Sequence, residues 1–205
     1  MRTYAPVGLT GGMASGKSSV SRLFQSWGAF VADADEISRR ALDPGTICYQ
    51  QTLAVFGSGI LLPNGTVDRK KVAGIVFSDA RALEVLNGII HPYVHKTICD
   101  QSKAAFDEAP DRLIVWDVPL LFETGYDRET AKIVVVTARQ SLRVERIVAR
   151  DGSTKAAALR RIHAQMPDRE KVRRADYVIR NNGTLDELER RTREVFDELL
   201  ETMGR

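Results

Sequence analysis

Five short apolar segments, separated by polar or glycine-rich stretches, dominate the pattern of the chain. Two of them, residues 113–116 and 132–136, are continuous apolar runs, which are typical of central parallel strands covered on both faces. Helical spacing lies between most of the segments, so we predict an α/β sheet with right-handed crossovers. The predicted strands are residues 4–10, 29–32, 113–116, 132–136 and 176–179.

The first and last predicted helices have the clearest boundaries. The first covers residues 17–27, and Gly28 is a suitable residue to end it. The last begins after Thr184, which forms a capping box with Glu187 three residues later. The residues predicted to face the core are Val20, Leu23, Phe24 and Trp27 in the first helix, and Leu185, Leu188, Val195, Phe196, Leu199, Leu200 and Met203 in the last.

Residues 36–110 interrupt this alternation of strands and helices. They contain a turn at residues 62–66 and helical patterns at residues 72–77 and 83–99. We interpret the segment as a helical lobe inserted between the second and third strands.

Composition narrows the class of protein. The 205 residues are 43% hydrophobic and 28% charged, which is typical of a globular domain and excludes a disordered chain. A net charge of +3 does not favour nucleic-acid binding through bulk charge. The two cysteines, Cys48 and Cys99, lack metal-site or disulfide-framework spacing, and no apolar run is long enough for a membrane span or a secretory signal. We therefore expect a cytoplasmic protein without nucleic-acid or membrane partners.

A glycine-rich segment after the first strand carries the strongest chemical signal. Residues 11–18 read Gly-Gly-Met-Ala-Ser-Gly-Lys-Ser and match the phosphate-binding loop G-x-x-x-x-G-K-[ST] in full. Such a loop aims main-chain N–H groups and a helix N-terminus at phosphate oxygens. Lys17 would then reach the β- and γ-phosphates and Ser18 would bind Mg²⁺. The alternative is a glycine-rich turn that only caps a helix.

Carboxylates follow two of the predicted strands, where ligands bind in parallel sheets. Asp35 is a candidate general base for an attacking hydroxyl, and Asp33 would orient the site or reach the metal through water. Asp35 could instead N-cap the helix that begins at Glu36. Asp117 could support Mg²⁺, directly or through water, or make only a loop hydrogen bond.

Nine arginines lie between residues 139 and 174. Arg139, Arg143, Arg146 and Arg150 share one narrow helical face. Val144, Ile147 and Val148 point towards the core. Arginines that close over a phosphoryl group stabilise its charge, and Arg146 and Arg150, followed by Arg161, are the candidates. A solvated charged face is the alternative for most of them.

His91 and His95 are four residues apart, but Pro92 is expected to disturb the local helix. A substrate-facing His91 and a structural His91 both remain open, and a metal site is disfavoured.

Taken together, these motifs resemble the dephospho-coenzyme A kinase family. The resemblance extends over nearly the whole chain, in the order of the family's motifs. It rests on residues 7–12, 16–18, 33–35, 86–92, 118–123, 150–151, 161–162 with Gln165, 175–179 and 181–183.

The resemblance implies a P-loop NTPase fold like that of nucleotide kinases, with a five-stranded parallel sheet flanked by helices. It implies transfer of the ATP γ-phosphate to the ribose 3′-hydroxyl of dephospho-CoA, with Mg²⁺, in a monomer or weak oligomer. The implied single kinase domain has a core (residues 1–35, 111–138 and 175–205), an acceptor-binding lobe (36–110) and a lid (139–174).

The resemblance also assigns residues to roles. Asp35 would be the base, and Lys17 and Arg146 would handle phosphoryl charge. The implied nucleotide-binding residues are Gly12, Met13, Ala14, Ser15, Gly16, Lys17, Ser18, Ser19, Arg146, Arg150 and Asn181, the last near adenine. The implied acceptor-binding residues are Thr10, Asp33, His91, Pro119, Leu120, Leu121, Glu123 and Arg161, and the implied metal ligands are Ser18 and Asp117.

One position departs from the family's motif, because Ala14 stands where the loop usually has glycine. We expect an ordinary φ at this position rather than a strained positive one.

Three other functions would fit part of the sequence. Another small P-loop kinase, acting on shikimate or a nucleoside, would share the loop and the strand-end aspartate. A nucleotide switch or motor would hydrolyse without an acceptor, but the sequence has no N-K-x-D guanine-reading segment. A nucleic-acid binder would show steep salt dependence.

Overall fold

A computed structural model describes residues 3–203 of the chain. The chain folds into two compact units. One unit contains the described residues up to Ala32 and those from Ser102 onward, and the other is Asp33–Gln101. The first division falls near the end of a strand and the second falls inside a long helix.

The first unit is built on a five-stranded parallel sheet in the order β2-β3-β1-β4-β5. The strands are β1 (Val7–Gly11), β2 (Phe30–Asp33), β3 (Ile114–Asp117), β4 (Lys132–Thr137) and β5 (Tyr177–Arg180). All five follow the apolar segments of the sequence, so the predicted fold class is confirmed. Their bounds differ from the predicted ones by at most three residues, chiefly because Tyr4 to Pro6 precede the ladder. Just before β5, the Asp176 amide donates to the Ile133 carbonyl at 3.0 Å and the Asp176 carboxylate accepts from the Ile133 amide at 2.8 Å.

Five helices of the first unit accompany the sheet. They are α1 (Lys17–Ser26), α6 (Gln140–Asp151), α7 (Lys155–His163), α8 (Asp168–Arg173) and α9 (Leu185–Met203), with a short 3₁₀ turn at Tyr126–Glu129. Val20 and Phe24 of α1 join Leu188, Phe196 and Leu199 of α9 and the apolar side chains of the strands in one buried cluster.

The predicted capping box of α9 is confirmed, because the Glu187 amide donates to the Thr184 hydroxyl at 3.2 Å and the Thr184 amide donates to the Glu187 carboxylate at 3.3 Å. The assignment of Leu185 to the core stripe is wrong. Its side chain is 76% exposed, because it occupies the first helical position, before the packed part of the helix begins.

The second unit is helical, as predicted for the inserted segment. It contains α2 (Ala34–Arg40), α3 (Ile47–Phe56), α4 (Arg69–Ser78) and the first part of α5 (Ala80–Glu108), with a 3₁₀ turn at Ser58–Ile60. The predicted turn is confirmed by the antiparallel bridge between Leu61 and Val67 that encloses it. Cys48, Ile60 and Val72 lie in the buried core of this unit.

Helix α5 continues through Pro92, so this residue does not end the helix, although proline lacks the N–H that would bond to the carbonyl four residues earlier. A proline ring in a helix crowds the carbonyl four residues earlier, which here belongs to Gly88. Gly88 carries no side chain and has open space around it, which favours the local adjustment that a proline requires.

Candidate active site

The segment between β1 and α1 forms a tight loop that the surrounding structure holds closely. A Cβ atom at Gly11 would lie 2.4 Å from the Val136 carbonyl oxygen, so the first loop residue has no room for a side chain. Gly16 has a φ of 98° and serves as the N-cap of α1. The Ser15 amide donates to the Gly12 carbonyl at 3.0 Å and closes the turn. The loop therefore ends at the N-terminus of α1, which is a favourable place for a phosphate group.

Three consecutive loop carbonyls accept hydrogen bonds from side chains elsewhere in the unit. The pairs are Met13 with the Arg143 Nε at 2.7 Å, Ala14 with an Arg146 guanidinium nitrogen at 3.2 Å, and Ser15 with the Asn181 Nδ2 at 2.9 Å. The carbonyl and the following amide of a trans peptide point in opposite directions. The amides of Ala14 and Gly16 therefore face away from these side chains and are available to an anion.

Ala14 has a φ of 58°, and it is the only non-glycine residue with a positive φ among residues 3–203. The expectation of an ordinary φ at this position is wrong. An L-residue in this region costs roughly 1–2 kcal/mol, so the contacts around the loop must offset that cost.

Lys17 and Asp117 form an ion pair, and their side chains are 13% and 3% exposed. They meet because Asp117 ends β3, the strand beside β1. Ser18 lies exposed in the first turn of α1. A hydroxyl and a carboxylate oxygen are hard donors of the kind that Mg²⁺ prefers, so the chemistry of Ser18 and Asp117 fits this ion.

The two aspartates after β2 have different roles in the local structure. Asp33 is the N-cap of α2, because its carboxylate accepts hydrogen bonds from the amides of Asp35 at 2.8 Å and Glu36 at 3.1 Å. The alternative in which Asp35 caps this helix is therefore wrong. The Asp35 carboxylate is exposed and makes no hydrogen bond or ion pair with residues 3–203. His91 is exposed on α5, in the same unit.

The segment after β3 is held by a buried lysine that the sequence did not single out. Lys171 of α8 is fully buried, and its ammonium group pairs with the Glu123 carboxylate at 3.1 Å and donates to the Pro119 carbonyl at 3.3 Å. The Thr10 hydroxyl donates to the same carbonyl at 3.0 Å. Leu121 is buried, whereas Leu120 is 41% exposed. The segment is therefore fixed in place, with Leu120 exposed at its surface.

The arginines of α6 separate into two groups. Arg143 is 4% exposed, lies against the loop and pairs with Asp168 at 2.7 Å, so the alternative of a solvated charged face does not hold for this arginine. Arg146 contacts Ala14 and the Asn181 carbonyl. Arg150 is 61% exposed and pairs with Asp151.

Arg161 of α7 binds the same carboxylate of Asp151 at 2.6 Å. Hydrogen bonds, the larger contribution from Arg150 and the smaller from Arg161, hold the pKa of Asp151 well below its usual range. The hydrogen bond to Asp151 in turn raises the pKa of Arg150. Arg150 and Arg161 thus form a surface cluster, whereas Arg143 and Arg146 lie at the phosphate loop.

A cavity of about 530 Å³ lies beside Arg143, between the end of β4 and helices α7 and α8. Thr137, His163, Gln165 and Asp168 contribute to its lining. Gln165 also accepts a hydrogen bond from the Met13 amide at 2.9 Å, so it connects this region to the phosphate loop.

Asp168, Lys171 and the anchoring role of Arg143 were not identified from the sequence. Arg143 had a signal, because it belongs to the arginine face of α6, but spacing alone does not show which member of a face is buried. Asp168 and Lys171 lie in a charged stretch that offers no such signal. In the part of the chain that the structure covers, no helix is both long enough and apolar enough to cross a membrane.

A phosphate-binding loop after the central strand of a parallel sheet, with a lysine and a strand-end carboxylate beside it, defines a P-loop nucleotide-binding protein, and the fold is that of the P-loop kinases. Residues 5–187 match the family model described as dephospho-CoA kinase. The chain therefore belongs to the dephospho-CoA kinase family, which confirms the resemblance seen in the motifs, and it is a kinase.

Individual relatives agree with this assignment. The dephospho-CoA kinase of Bacillus licheniformis is 42% identical over 93% of this chain and 94% of its own, and that of Oryza sativa is 40% identical over 97% and 84%. Among solved structures, a dephospho-CoA kinase from Campylobacter jejuni has a TM-score of 0.74 and 26% identity, covering 96% of this chain and 98% of its own. A shikimate kinase from Acinetobacter baumannii shares the fold alone, with a TM-score of 0.54 and 14% identity over 98% and 96%.

Proposed function

We propose that this protein transfers the γ-phosphoryl group of ATP to the ribose 3′-hydroxyl of dephospho-CoA, giving coenzyme A and ADP. The bond between the γ-phosphorus and its bridging oxygen breaks, a bond from the 3′-oxygen to that phosphorus forms, and the hydroxyl proton is released. The single observation that carries the proposal is the preformed phosphate loop, with its outward carbonyls held and its amides available, in a chain of this family.

The nucleotide would lie on the loop residues from Gly12 to Ser19. The amides of Ala14 and Gly16 and the N-terminus of α1 would bind phosphate oxygens. Lys17 would leave Asp117 to contact the β- and γ-phosphates, and Arg146, already at Ala14, would stabilise charge on the transferred group. Arg150 and Asn181 complete the proposed nucleotide site.

Ser18 and Asp117 would hold Mg²⁺, which when bound neutralises charge on the nucleotide's phosphates. The remaining chemistry falls to the chain's own residues. The exposed carboxylate of Asp35 has no competing partner among residues 3–203, so it is free to accept the proton of the 3′-hydroxyl.

The acceptor site is proposed from the residues that match the family's motifs. We assign to it Thr10, Asp33, His91, Pro119, Leu120, Leu121, Glu123 and Arg161. The network of Thr10, Lys171 and Glu123 around the Pro119 carbonyl supports the assignment, because it rigidifies the segment that would contact the acceptor.

The proposed domain organisation keeps the three parts expected from the sequence: a core (residues 1–35, 111–138 and 175–205), an acceptor-binding lobe (36–110) and a lid (139–174). A cytoplasmic location is also proposed. Cys48 and Cys99 form no disulfide bond among the described residues, which favours this location, because that compartment is reducing.

The substrate is tested by measuring ADP release with ATP, Mg²⁺ and one acceptor at a time: dephospho-CoA, shikimate, AMP, cytidine or water. We expect a response to dephospho-CoA alone, with phosphorus NMR placing the new phosphate on the 3′-oxygen. Equal release with water would favour a nucleotide switch, and a response to shikimate would favour a different small kinase.

The base is tested with Asp35→Asn. We expect kcat to fall about 10²-fold or more while ADP affinity stays unchanged, because the loss of a general base affects only the chemical step. Glu36→Gln is the matched control, since Glu36 is the exposed neighbour in the same helical turn. Turnover of Asp35→Asn close to that of the wild type would remove Asp35 from this role.

A further inference from the structure

Arg143, itself 4% exposed, connects the lid to the phosphate loop through hydrogen bonds to groups on both sides. Its Nε donates to the Met13 carbonyl at 2.7 Å, and another nitrogen of the same guanidinium donates to Asp168 at 2.7 Å. Asp168 also accepts from the Thr137 hydroxyl at 2.8 Å. Because a guanidinium presents its donors in a rigid planar fork, fixing one side on Asp168 fixes the position of the other side.

Both polar main-chain groups of Met13 are bound to side chains from the lid. The carbonyl accepts the hydrogen bond from Arg143, and the amide donates to Gln165 at 2.9 Å. The peptide that follows Met13 therefore has a set orientation, with the Ala14 amide turned to the opposite side. Ala14 is also the residue whose φ of 58° is unfavourable for an L-amino acid.

We propose that Arg143 is a positioning residue for nucleotide binding: it holds the Met13 carbonyl and so keeps Ala14 in the left-handed conformation that presents its amide to phosphate. It acts through the loop and does not itself contact the nucleotide. This inference rests on the proposed function, because it requires the loop to bind a nucleotide. It differs from the roles given to Arg146 and Arg150, which bring charge to the nucleotide directly.

The test is ADP affinity measured by calorimetry without an acceptor. For Arg143→Gln we expect about tenfold weaker binding, equivalent to about 1.4 kcal/mol. We expect kcat at saturating substrates to stay within about threefold of wild type, because a filled site restores the loop geometry.

Rescue by Ala14→Gly distinguishes positioning from a general effect on stability. Glycine adopts a positive φ without a Cβ penalty, so the loop of the Ala14→Gly variant needs less support from Arg143. In the Arg143→Gln background, Ala14→Gly should recover at least about fivefold in ADP affinity. The gain in affinity from Ala14→Gly should be at least about twofold larger in the Arg143→Gln background than in the wild-type background.

Two further variants keep the test decisive. Asp168→Asn removes the charged partner of Arg143 and should weaken ADP binding about threefold, and it serves if Arg143→Gln does not fold. The adjacent cavity admits water to Asp168, which favours a folded Arg143→Gln protein. Arg160→Gln, at an exposed arginine of the same lid, is the charge-matched control and should bind ADP as wild type does.

The outcomes separate this inference from the proposed function. If Arg143→Gln and Asp168→Asn both bind ADP with wild-type affinity, the positioning role of Arg143 is overturned and the proposed function is not affected. An equal effect of Ala14→Gly in the two backgrounds would do the same. Failure of the wild-type protein to bind ADP would overturn the proposed function and this inference with it.

Discussion

The ion pair between Lys171 and Glu123 predicts an asymmetric response to the removal of either partner. Lys171 is fully buried, whereas the Glu123 side chain is 26% exposed and also accepts a hydrogen bond from the Met166 amide at 3.2 Å. Glu123→Gln leaves a buried ammonium group without its counter-charge. Lys171→Met leaves a carboxylate that water can reach. The two single variants should therefore differ, although they break the same pair.

The magnitude follows from the burial of the group that is left behind. Stranding a buried charge costs roughly 3–5 kcal/mol. Because the Glu123 side of the pair is partly exposed, water lies close to the stranded ammonium group, so Glu123→Gln should cost about 3 kcal/mol, the lower end of that range. Lys171→Met should cost about 1 kcal/mol, because the remaining carboxylate is hydrated and a methionine fills the apolar space. The double variant should be close to Lys171→Met alone, since both of its replacement side chains are neutral and no charge is stranded.

Urea unfolding at neutral pH measures these differences, and thermal unfolding checks them. At about 2–4 °C for each kcal/mol in a chain of this length, Glu123→Gln should lower Tm by about 6–12 °C. Glu194→Gln is the control, because the pair of Glu194 with Arg190 at 2.7 Å is on the surface and contributes less than about 1 kcal/mol. Equal losses in the two single variants, or additive losses in the double variant, would refute the reasoning.

Three further predictions address the loop, a helix terminus and the lid surface. Gly16→Ala should weaken ADP binding at least about tenfold in a calorimetric titration, because its Cβ would lie 2.0 Å from the Asn181 Nδ2 at a φ of 98°, and wild-type affinity would contradict this. Thr184→Ala should cost about 1 kcal/mol in urea unfolding through loss of the helix cap, whereas a change below about 0.3 kcal/mol would show that the cap contributes little. The pKa of Asp151 is lowered on folding, so its contribution to stability is complete above its ordinary value of 3.8 and is lost as the pH falls below that value. Asp151→Asn should therefore flatten the acid side of the stability profile, and an unchanged profile would exclude the contribution.

The local pattern of the sequence was sufficient for the fold class and for the phosphate loop. A buried parallel strand needs a continuous apolar run, so the five strands could be located within a few residues. The loop requires glycine at positions where a Cβ atom would collide or φ is positive, as Gly11 and Gly16 show. The capping box of Thr184 and Glu187 is equally local, since both partners lie within one helical turn.

The tertiary structure decided which charged side chains support the loop. Arg143, Arg146 and Arg150 share one face of α6, yet the first is 4% exposed and the last has a side chain 61% exposed. Periodicity places residues on a face, but the packing of that face against other elements determines which of them loses contact with water. Burial of Arg143 further requires Asp168 from another helix, a pairing that no spacing within α6 encodes.

The positive φ of Ala14 likewise depends on contacts between elements that are distant in the sequence. By itself the sequence determined a phosphate loop on a parallel sheet, because each requirement of that loop is met by residues adjacent in the chain. Only the tertiary structure decided how the loop is held, because the side chains that bind its carbonyls come from residues more than 100 positions away and their hydrogen bonds offset the local backbone strain.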